Sequence, residues 1–125
     1  MYKKLSILIP VYNEKNTIME CLTAVLDADV GQMEKEVIIS DNNSNDGTKE
    51  ILSTINDPRV KVLYRKTNNG KGANIKNALK EACGDLILFQ DGDLEYSPKD
   101  YLFLIEPFFK FNADVVYGSR LTRAK

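Results

Sequence analysis

The stretch of the chain richest in potential chemistry is FQDGDLEYSP (89–98), where Asp91, Asp93 and Glu95 place three carboxylates within five positions. The apolar run DLILF (85–89) comes directly before Gln90 and predicts a buried strand. Carboxylates crowded on one turn repel each other and are costly to desolvate unless they are paired. Hard oxygen ligands at this spacing suit Mg²⁺ or Mn²⁺, whose coordination a substrate's phosphates often complete. We therefore predict a divalent-metal site here, and the alternative is a surface turn that caps the next helix.

A second polar stretch, DNNSNDGT (41–48), follows the apolar run EVIIS (36–40). A carboxylate at this place, Asp41, can accept hydrogen bonds from a ribose or a base edge, as the acidic residue of a dinucleotide-binding fold does. The alternative is an Asx-rich turn that leads into a helix cap. We assign structural roles of this kind to the remaining polar positions, which are Asn42, Asn43, Ser44, Asn45, Asp46 and Gly47.

The glycine-containing stretch NNGKGANIKNA (68–78) is not a known phosphate-binding loop. The P-loop pattern fails at Arg65, where it needs glycine, and at Gly72, where it needs serine or threonine. The first strand is also not followed by G-x-G-x-x-G, so a dinucleotide-binding interpretation loses its main support. Two interpretations stay open: the glycines let a loop pack closely while Lys71 faces an anionic ligand, or the stretch is a flexible helix start.

The elements that carry these stretches alternate between strand and helix. Apolar runs predict strands at 5–11, 36–40, 59–65, 85–90 and within 113–120. Apolar residues at helical spacing predict the helices between them, through Ile18, Leu22, Val25 and Leu26, through Ile51, Leu52 and Ile55, through Ile75, Ala78, Leu79 and Ala82, and through Leu102 and Ile105. We expect Gly84 to end the third helix in the C′ position and Pro107 to kink or end the fourth, which Ser97 and Pro98 begin.

Continuous apolar strands joined by single helices predict a doubly wound α/β fold, with a mostly parallel sheet and helices on both faces. Ligands of such sheets bind beyond the carboxyl ends of the strands. The segments that follow the first, second, fourth and fifth strands are all polar: PVYNE, DNNSNDGT, DGDLE and GSR. The topology therefore brings them to one edge, where the guanidinium of Arg120 suits a diphosphate; a solvated arginine is the alternative.

Composition excludes several other classes of protein. The chain has 125 residues, 43% hydrophobic and 28% charged, with a formal net charge of −1, which gives no basic surface for nucleic acid. It has no histidine, and no segment approaches the roughly 18 apolar residues of a membrane helix. Cys21 and Cys83 fall inside helical patterns and are expected to be reduced, buried thiols, which suits the cytoplasm.

Five ordered motifs resemble those of family-two inverting glycosyltransferases of the A-type fold, in particular the dolichol-phosphate mannose synthase and polyprenyl-phosphate sugar transferase branch. The motifs are SILIPVYNE, EVIISDNNSNDGT, NNGKGANIKNAL, GDLILFQDGDLEYSP and DVVYGSR, and they cover nearly all of the chain. The resemblance implies a site for a UDP- or GDP-linked sugar donor with Mg²⁺ or Mn²⁺. Its donor-binding residues would be Pro10, Tyr12, Glu14, Ile39, Asp41, Asp91, Gly92, Asp93 and Arg120, with Asp91, Asp93 and Glu95 at the metal and Asp91 and Asp93 at the reaction centre.

The resemblance also implies a single displacement at the anomeric carbon, with a lipid phosphate or a glycan as acceptor. The relatives commonly have Asp-Asp where this chain has Asp41 and Asn42, a change of small effect if Asp41 makes the contact. We expect residues 1–125 to be the donor-binding part of a longer enzyme, inactive alone, whose catalytic base and membrane segments lie beyond Lys125. The full-length protein is then expected at the cytoplasmic face of a membrane. The alternatives are a non-catalytic nucleotide-sugar-binding module and a sugar nucleotidyltransferase. The latter needs a Gly-rich basic loop after the first strand, where this chain has PVYNE.

Overall fold

The computed structural model describes residues 3–92, 98–110, 115–116 and 121–123. Strands and helices alternate along the chain as the apolar pattern predicts. In chain order the elements are β1 (Lys4–Val11), α1 (Ile18–Asp27), β2 (Glu34–Asp41), α2 (Thr48–Leu52), β3 (Val60–Tyr64), α3 (Lys71–Leu79), β4 (Leu86–Phe89), a 3₁₀ turn (Pro98–Asp100), α4 (Tyr101–Lys110), β5 (Val115–Val116) and β6 (Leu121–Arg123).

The strands form one sheet in the order β3-β2-β1-β4-β6-β5. The pairs β1–β2, β1–β4 and β2–β3 are parallel, which confirms the predicted parallel sheet and puts the ends of β1, β2 and β4 at one edge. Strand β6 is antiparallel to both β4 and β5. The sequence did not predict β6, because three residues are too few to show a periodic pattern and its partners come from tertiary contacts.

Helices cover both faces of the sheet, as predicted. On one face, side chains of β1 such as Leu5, Ile7 and Ile9 pack with α1 and with Tyr101 of α4. On the other face, Leu8 and its neighbours on β2 and β4 pack with Ala78 of α3. Successive residues of β1 point to opposite faces, so a strand buried on both sides needs apolar side chains on both faces.

One predicted helix end is wrong, and at another the structure excludes one of the two predicted effects. Helix α3 ends at Leu79, so Gly84 is not its C′ residue. A Cβ atom at Gly84 would lie 2.5 Å from Ser6 Oγ and 2.7 Å from Ser6 N, which means that glycine is needed there for the close approach to β1. Helix α4 continues past Pro107 to Lys110, so the proline does not end it. The predicted cap at Ser97 lies outside the described residues.

Two further observations concern the cysteines and the length of the helices. Cys21 is buried and Cys83 is exposed, and the two form no disulfide, so Cys83 is not the buried residue that its position suggested. Among the helices that the structure describes, none is long and apolar enough to cross a bilayer.

Candidate functional site

A cleft of about 280 Å³ opens beyond the carboxyl ends of β1, β2 and β4. Five of the residues predicted from sequence line it: Pro10, Tyr12, Glu14, Asp91 and Gly92. The topology thus brings the ends of β1 and β4 to one place, as the parallel sheet requires. The cleft is also lined by polar residues that sequence reasoning left structural or open, namely Asn42, Asn68, Lys71 and Asn74.

Hydrogen bonds between the loops after β1 and β2 hold one side of the cleft. Asn13 has a φ of 53°, a left-handed conformation that asparagine tolerates. Its side-chain amide donates to Asn45 Oδ1 over 3.1 Å, and its Oδ1 accepts the Asn45 N–H over 2.9 Å. The Asn13 N–H also donates to Ser44 Oγ over 2.9 Å. These bonds fix the loop that carries Tyr12, whose ring is 45% exposed at the cleft.

Asp41, predicted to contact the base or ribose, is not exposed in the cleft. It is fully buried, and its carboxylate accepts the N–H of Ser44 over 3.0 Å and the hydroxyl of the same serine. The side chain of Ile39 is buried in the core and does not line the cleft either. In this structure Asp41 therefore holds the loop after β2, and Ile39 belongs to the core.

The next residue, Asn42, takes the position that sequence reasoning gave to Asp41. It is 3% exposed and lines the cleft. Its Nδ2 donates to Asn68 Oδ1 over 2.8 Å and lies 3.4 Å from Gly70 O. Asn68 Oδ1 also accepts the N–H of Gly70 over 3.0 Å, so it must be the oxygen, and this fixes which end of the Asn42 amide faces it.

The other end of that amide, Asn42 Oδ1, is buried and receives no hydrogen bond from any residue that the structure describes. A buried acceptor without a donor costs about 1–3 kcal/mol. A ligand whose N–H or O–H group reached this oxygen from the cleft would remove that cost. The sequence signal for this role was available, since Asn42 directly follows the strand, but an Asn-rich turn is more often structural.

Asp91 lies on the opposite side of the cleft, at the end of β4. Its Oδ1 accepts a hydrogen bond from Lys71 Nζ over 2.6 Å, and its side chain is 25% exposed. The adjacent backbone is anchored, because the hydroxyl of Thr17 lies 2.9 Å from Gly92 O. That hydroxyl also lies 3.1 Å from Glu14 Oε2 and can donate to only one of the two oxygens at a time.

A buried pair beneath the cleft holds the backbone at Asp91. Tyr101 and Gln90 are fully buried, and the Tyr101 hydroxyl donates to Gln90 Oε1 over 2.6 Å. Gln90 Nε2 in turn donates to Asp91 O over 3.2 Å. Burial raises the pKa of Tyr101 above its ordinary value, so the phenol remains a neutral donor. The start of the acidic loop is therefore tied to α4.

The predicted metal ligands are only partly within the described residues. Asp93, Glu95 and Arg120 lie outside them, and in the described part of the chain no three acidic, cysteine or histidine side chains gather as a metal site. Asp91 itself fits a cation, because a cationic group, the ammonium of Lys71, already contacts its carboxylate. Carboxylate oxygen is also the ligand type that Mg²⁺ and Mn²⁺ prefer.

Comparison with known proteins identifies relatives that match most of this chain. Dolichol-phosphate mannosyltransferase of Pyrococcus furiosus is 31% identical over 121 residues, which cover 96% of this chain and 34% of that protein. Glycosyltransferase AglE of Haloferax volcanii is 37% identical over 91 residues, which cover 70% of this chain and 30% of that protein. This chain therefore spans about a third of the length of these two relatives.

Solved structures agree with this relationship. The structure of Staphylococcus aureus TarS 1-349 in complex with UDP-GlcNAc is 34% identical, with a TM-score of 0.75, over 90% of this chain and 33% of that one. Mannosyltransferase PcManGT from Pyrobaculum calidifontis, in complex with GDP-Man and Mn²⁺, has a TM-score of 0.75 at 19% identity, over 98% of this chain and 45% of that one, and shows the shared fold alone. The family model described as glycosyl transferase family 2 matches residues 6–125, nearly the whole chain. The chain therefore belongs to glycosyl transferase family 2.

Proposed function

We propose that residues 1–125 form the donor-binding part of a longer glycosyltransferase, which moves a sugar from a nucleoside-diphospho-sugar to an acceptor with inversion. One observation carries the proposal: the cleft at the carboxyl edge of the sheet holds the buried acceptor Asn42 Oδ1 at one side and the Asp91 carboxylate at the other. A nucleoside diphosphate offers matching groups at its two ends, since its base has N–H donors and its phosphates recruit cations.

In this proposal the base lies beside Tyr12 and Asn42. The exposed ring of Tyr12 offers a face for stacking. Asn42 Oδ1 accepts an N–H from the base, and both uracil and guanine carry a ring N–H that satisfies it. The relative TarS, whose structure was solved with UDP-GlcNAc, is 34% identical and supports a donor of this class. A neutral amide at this position does not choose between UDP and GDP.

The diphosphate and the sugar lie at the other end, near Asp91. We propose that Asp91 and, beyond the described residues, Asp93 and Glu95 hold Mg²⁺ or Mn²⁺, and that Arg120 contacts the diphosphate. A divalent cation there supplies charge neutralisation for the departing nucleoside diphosphate. Gly92, buried beside Asp91, has its carbonyl held by the Thr17 hydroxyl.

The reaction is a single displacement. An acceptor oxygen attacks the anomeric carbon, the bond from that carbon to the diphosphate oxygen breaks, and its electron pair leaves with the nucleoside diphosphate. A lipid-phosphate acceptor is already an anion and needs no strong base. We propose polyprenyl phosphate as that acceptor, at the cytoplasmic face of a membrane, since the relative in P. furiosus is a dolichol-phosphate mannosyltransferase. A hydroxyl acceptor would need a base, which we place beyond Lys125.

Calorimetry on the chain tests the donor site with UDP, GDP, UDP-GlcNAc and GDP-mannose, with and without Mn²⁺. We expect the chain to bind the nucleotides of one base only, uracil or guanine. The affinity for that nucleotide should fall at least tenfold when Mn²⁺ is left out and in the variant Asp91→Asn. Asp27→Asn is the control, because Asp27 is a carboxylate at the far end of α1. Metal-independent binding that Asp91→Asn leaves unchanged would refute the metal site.

A second pair of variants tests the base contact in the same experiment. Asn42→Ala removes the buried acceptor, and we expect a loss of about five- to tenfold in affinity, the equivalent of one hydrogen bond. Asn56→Ala, at an exposed loop position, should bind as the wild type does. Equal affinity of the Asn42 variant and the wild type would contradict the assigned orientation of the nucleotide.

The acceptor is tested on the complete gene product that carries this chain, by nucleotide release with polyprenyl phosphate or with poly(ribitol phosphate). Release with polyprenyl phosphate alone supports the proposal. Release with poly(ribitol phosphate) instead would move the protein to the TarS type of acceptor, as that relative's name describes it. Donor binding without release under either condition would favour a non-catalytic module.

A further inference from the structure

The ion pair between Lys71 and Asp91 crosses the cleft from one element to another. Lys71 is the first residue of α3, and Asp91 follows β4. Nζ and Oδ1 are 2.6 Å apart, with the lysine side chain 64% exposed and the aspartate side chain 25% exposed. The pair therefore joins a well-exposed ammonium to a less exposed carboxylate whose adjacent backbone is held by Gln90 and Thr17.

The position of Lys71 is not explained by the stability of its own helix. A helix N-terminus carries partial positive charge, so a lysine there is unfavourable, and the first turn of α3 has no acidic residue to offset it. The preceding Gly70 has a φ of 94°, which brings the helix start to the cleft in a conformation that other residues rarely adopt. Lys71 thus adds positive charge at a helix end that already carries partial positive charge, and Asp91 is its anionic partner.

An independent observation points to a ligand in the same cleft. Asn42 Oδ1 is buried without a donor, and the other end of that amide faces Asn68 and Gly70, directly before Lys71. The ion pair and the unsatisfied oxygen therefore belong to one site. A ligand that satisfies Asn42 must enter the space that Lys71 borders.

We propose that Lys71 is an exchangeable counter-cation of the donor site, an inference that rests on the proposed function. In the empty site its ammonium neutralises Asp91 and competes with divalent metal for that carboxylate. When a nucleoside diphosphate enters, its phosphate oxygens give the ammonium a second anionic partner. Lys71 then leaves Asp91, and the carboxylate becomes available to the cation.

This exchange couples the two ligands. Metal alone must displace Lys71 from Asp91 and leave the ammonium beside a like charge, so it binds weakly. When the nucleotide is also bound, Lys71 has released the Asp91 carboxylate, so the metal binds there without having to displace it. Each ligand therefore raises the affinity of the other, and the coupling is reciprocal by linkage. Removal of the lysine should strengthen metal binding in the empty site and reduce the coupling.

The experiment measures Mn²⁺ binding to the chain by electron paramagnetic resonance of the free ion, without nucleotide and with saturating UDP or GDP. The variants are Lys71→Met, Lys71→Arg, and the matched control Lys76→Met on the same helix. We expect Lys71→Met to bind Mn²⁺ alone between threefold and about tenfold more tightly than the wild type, while its gain on adding nucleotide shrinks by a similar factor. Lys71→Arg keeps the positive charge and should show no gain in affinity for Mn²⁺ alone, and Lys76→Met should behave as the wild type.

The outcomes separate this inference from the proposed function. If the wild type binds Mn²⁺ and nucleotide together but Lys71→Met gains no affinity for Mn²⁺ alone, the counter-cation role is wrong and the donor site stands. If the wild type binds neither nucleotide, with or without Mn²⁺, the donor site is wrong and this inference fails with it. Tighter Mn²⁺ binding in Lys76→Met as well would show a general charge effect and would also overturn the specific role of Lys71.

Discussion

Replacement of Gly84 by alanine should lower the free energy of unfolding more than a glycine-to-alanine change usually does. The added Cβ would lie 2.5 Å from Ser6 Oγ, 2.7 Å from Ser6 N and 2.9 Å from Lys4 O. Two of these three atoms belong to the backbone of β1, which pairs with β2 on one side and β4 on the other. The strand has little freedom to move away, because any shift would disturb both ladders.

The size of the loss follows from two contributions. Overpacking in a closely packed region costs about 1–3 kcal/mol. The Gly84 N–H also donates to Ser6 Oγ over 2.8 Å, and that hydroxyl donates to Glu36 Oε2 over 2.6 Å, so displacement of Ser6 weakens two hydrogen bonds of about 1 kcal/mol each. We expect a total loss of about 3–5 kcal/mol, a large share of the ~5–15 kcal/mol typical of native proteins.

Urea denaturation followed by circular dichroism measures this loss, and Gly72→Ala is the matched control. Gly72 lies inside α3 with nothing within 4 Å of its added Cβ, so alanine there should stabilise the chain by about 0.5–1 kcal/mol. The test is that Gly84→Ala lowers the free energy of unfolding whereas Gly72→Ala raises it. A Gly84→Ala variant within about 0.5 kcal/mol of the wild type would refute the steric argument.

Two further changes test the contacts around the sheet. Tyr101→Phe removes the buried hydrogen bond to Gln90 and should cost about 1–2 kcal/mol by urea denaturation; no loss would mean that the pair does not hold the loop. Partial burial alone would raise the pKa of Glu36, but hydrogen bonds from the Cys83 N–H and the Ser6 hydroxyl outweigh it and bring the pKa below its ordinary 4.5. The carboxylate therefore stabilises the fold at pH above about 4.5, and that contribution is lost as pH falls through the lowered pKa. Glu36→Gln should accordingly be less stable than the wild type at pH 7, the deficit should shrink as the pH falls through the lowered pKa of Glu36, and a difference independent of pH would contradict this account.

The alternation of apolar runs was sufficient to predict the main architecture. A strand such as β1, apolar at nearly every position, removes its side chains from water only when both of its faces are covered. This implies parallel strands joined by crossover helices. The comparisons confirm that fold and the family resemblance. The same reasoning put the PVYNE and DGDLE segments at one edge, where the structure finds Tyr12, Glu14 and Asp91 lining one cleft.

Errors arose where a residue's role depends on neighbours distant in sequence. Gly84 resembled a helix C′ residue, because a glycine after an apolar helical stripe usually is one, but its contact is with β1, 78 residues away along the chain. Strand β6 is specified by pairing with β4 and has too few residues for a pattern of its own.

Asp41 and Asn42 show that the local sequence pattern does not tell which of two adjacent polar side chains faces the cleft. Residue type and position after β2 predict a polar group at the edge of the sheet, and they favour the carboxylate over the amide. Side chains of adjacent residues leave the end of a strand in different directions, and packing against Ser44 and Asn68 decides which one is enclosed and which one faces the cleft. The amino-acid sequence thus determines which elements form and which edge carries the chemistry, because both follow from hydrophobic periodicity and chain direction. The partner of each polar group is decided only by the folded structure, because hydrogen bonds and ion pairs act over about 3 Å and depend on atoms that the chain brings together from far apart.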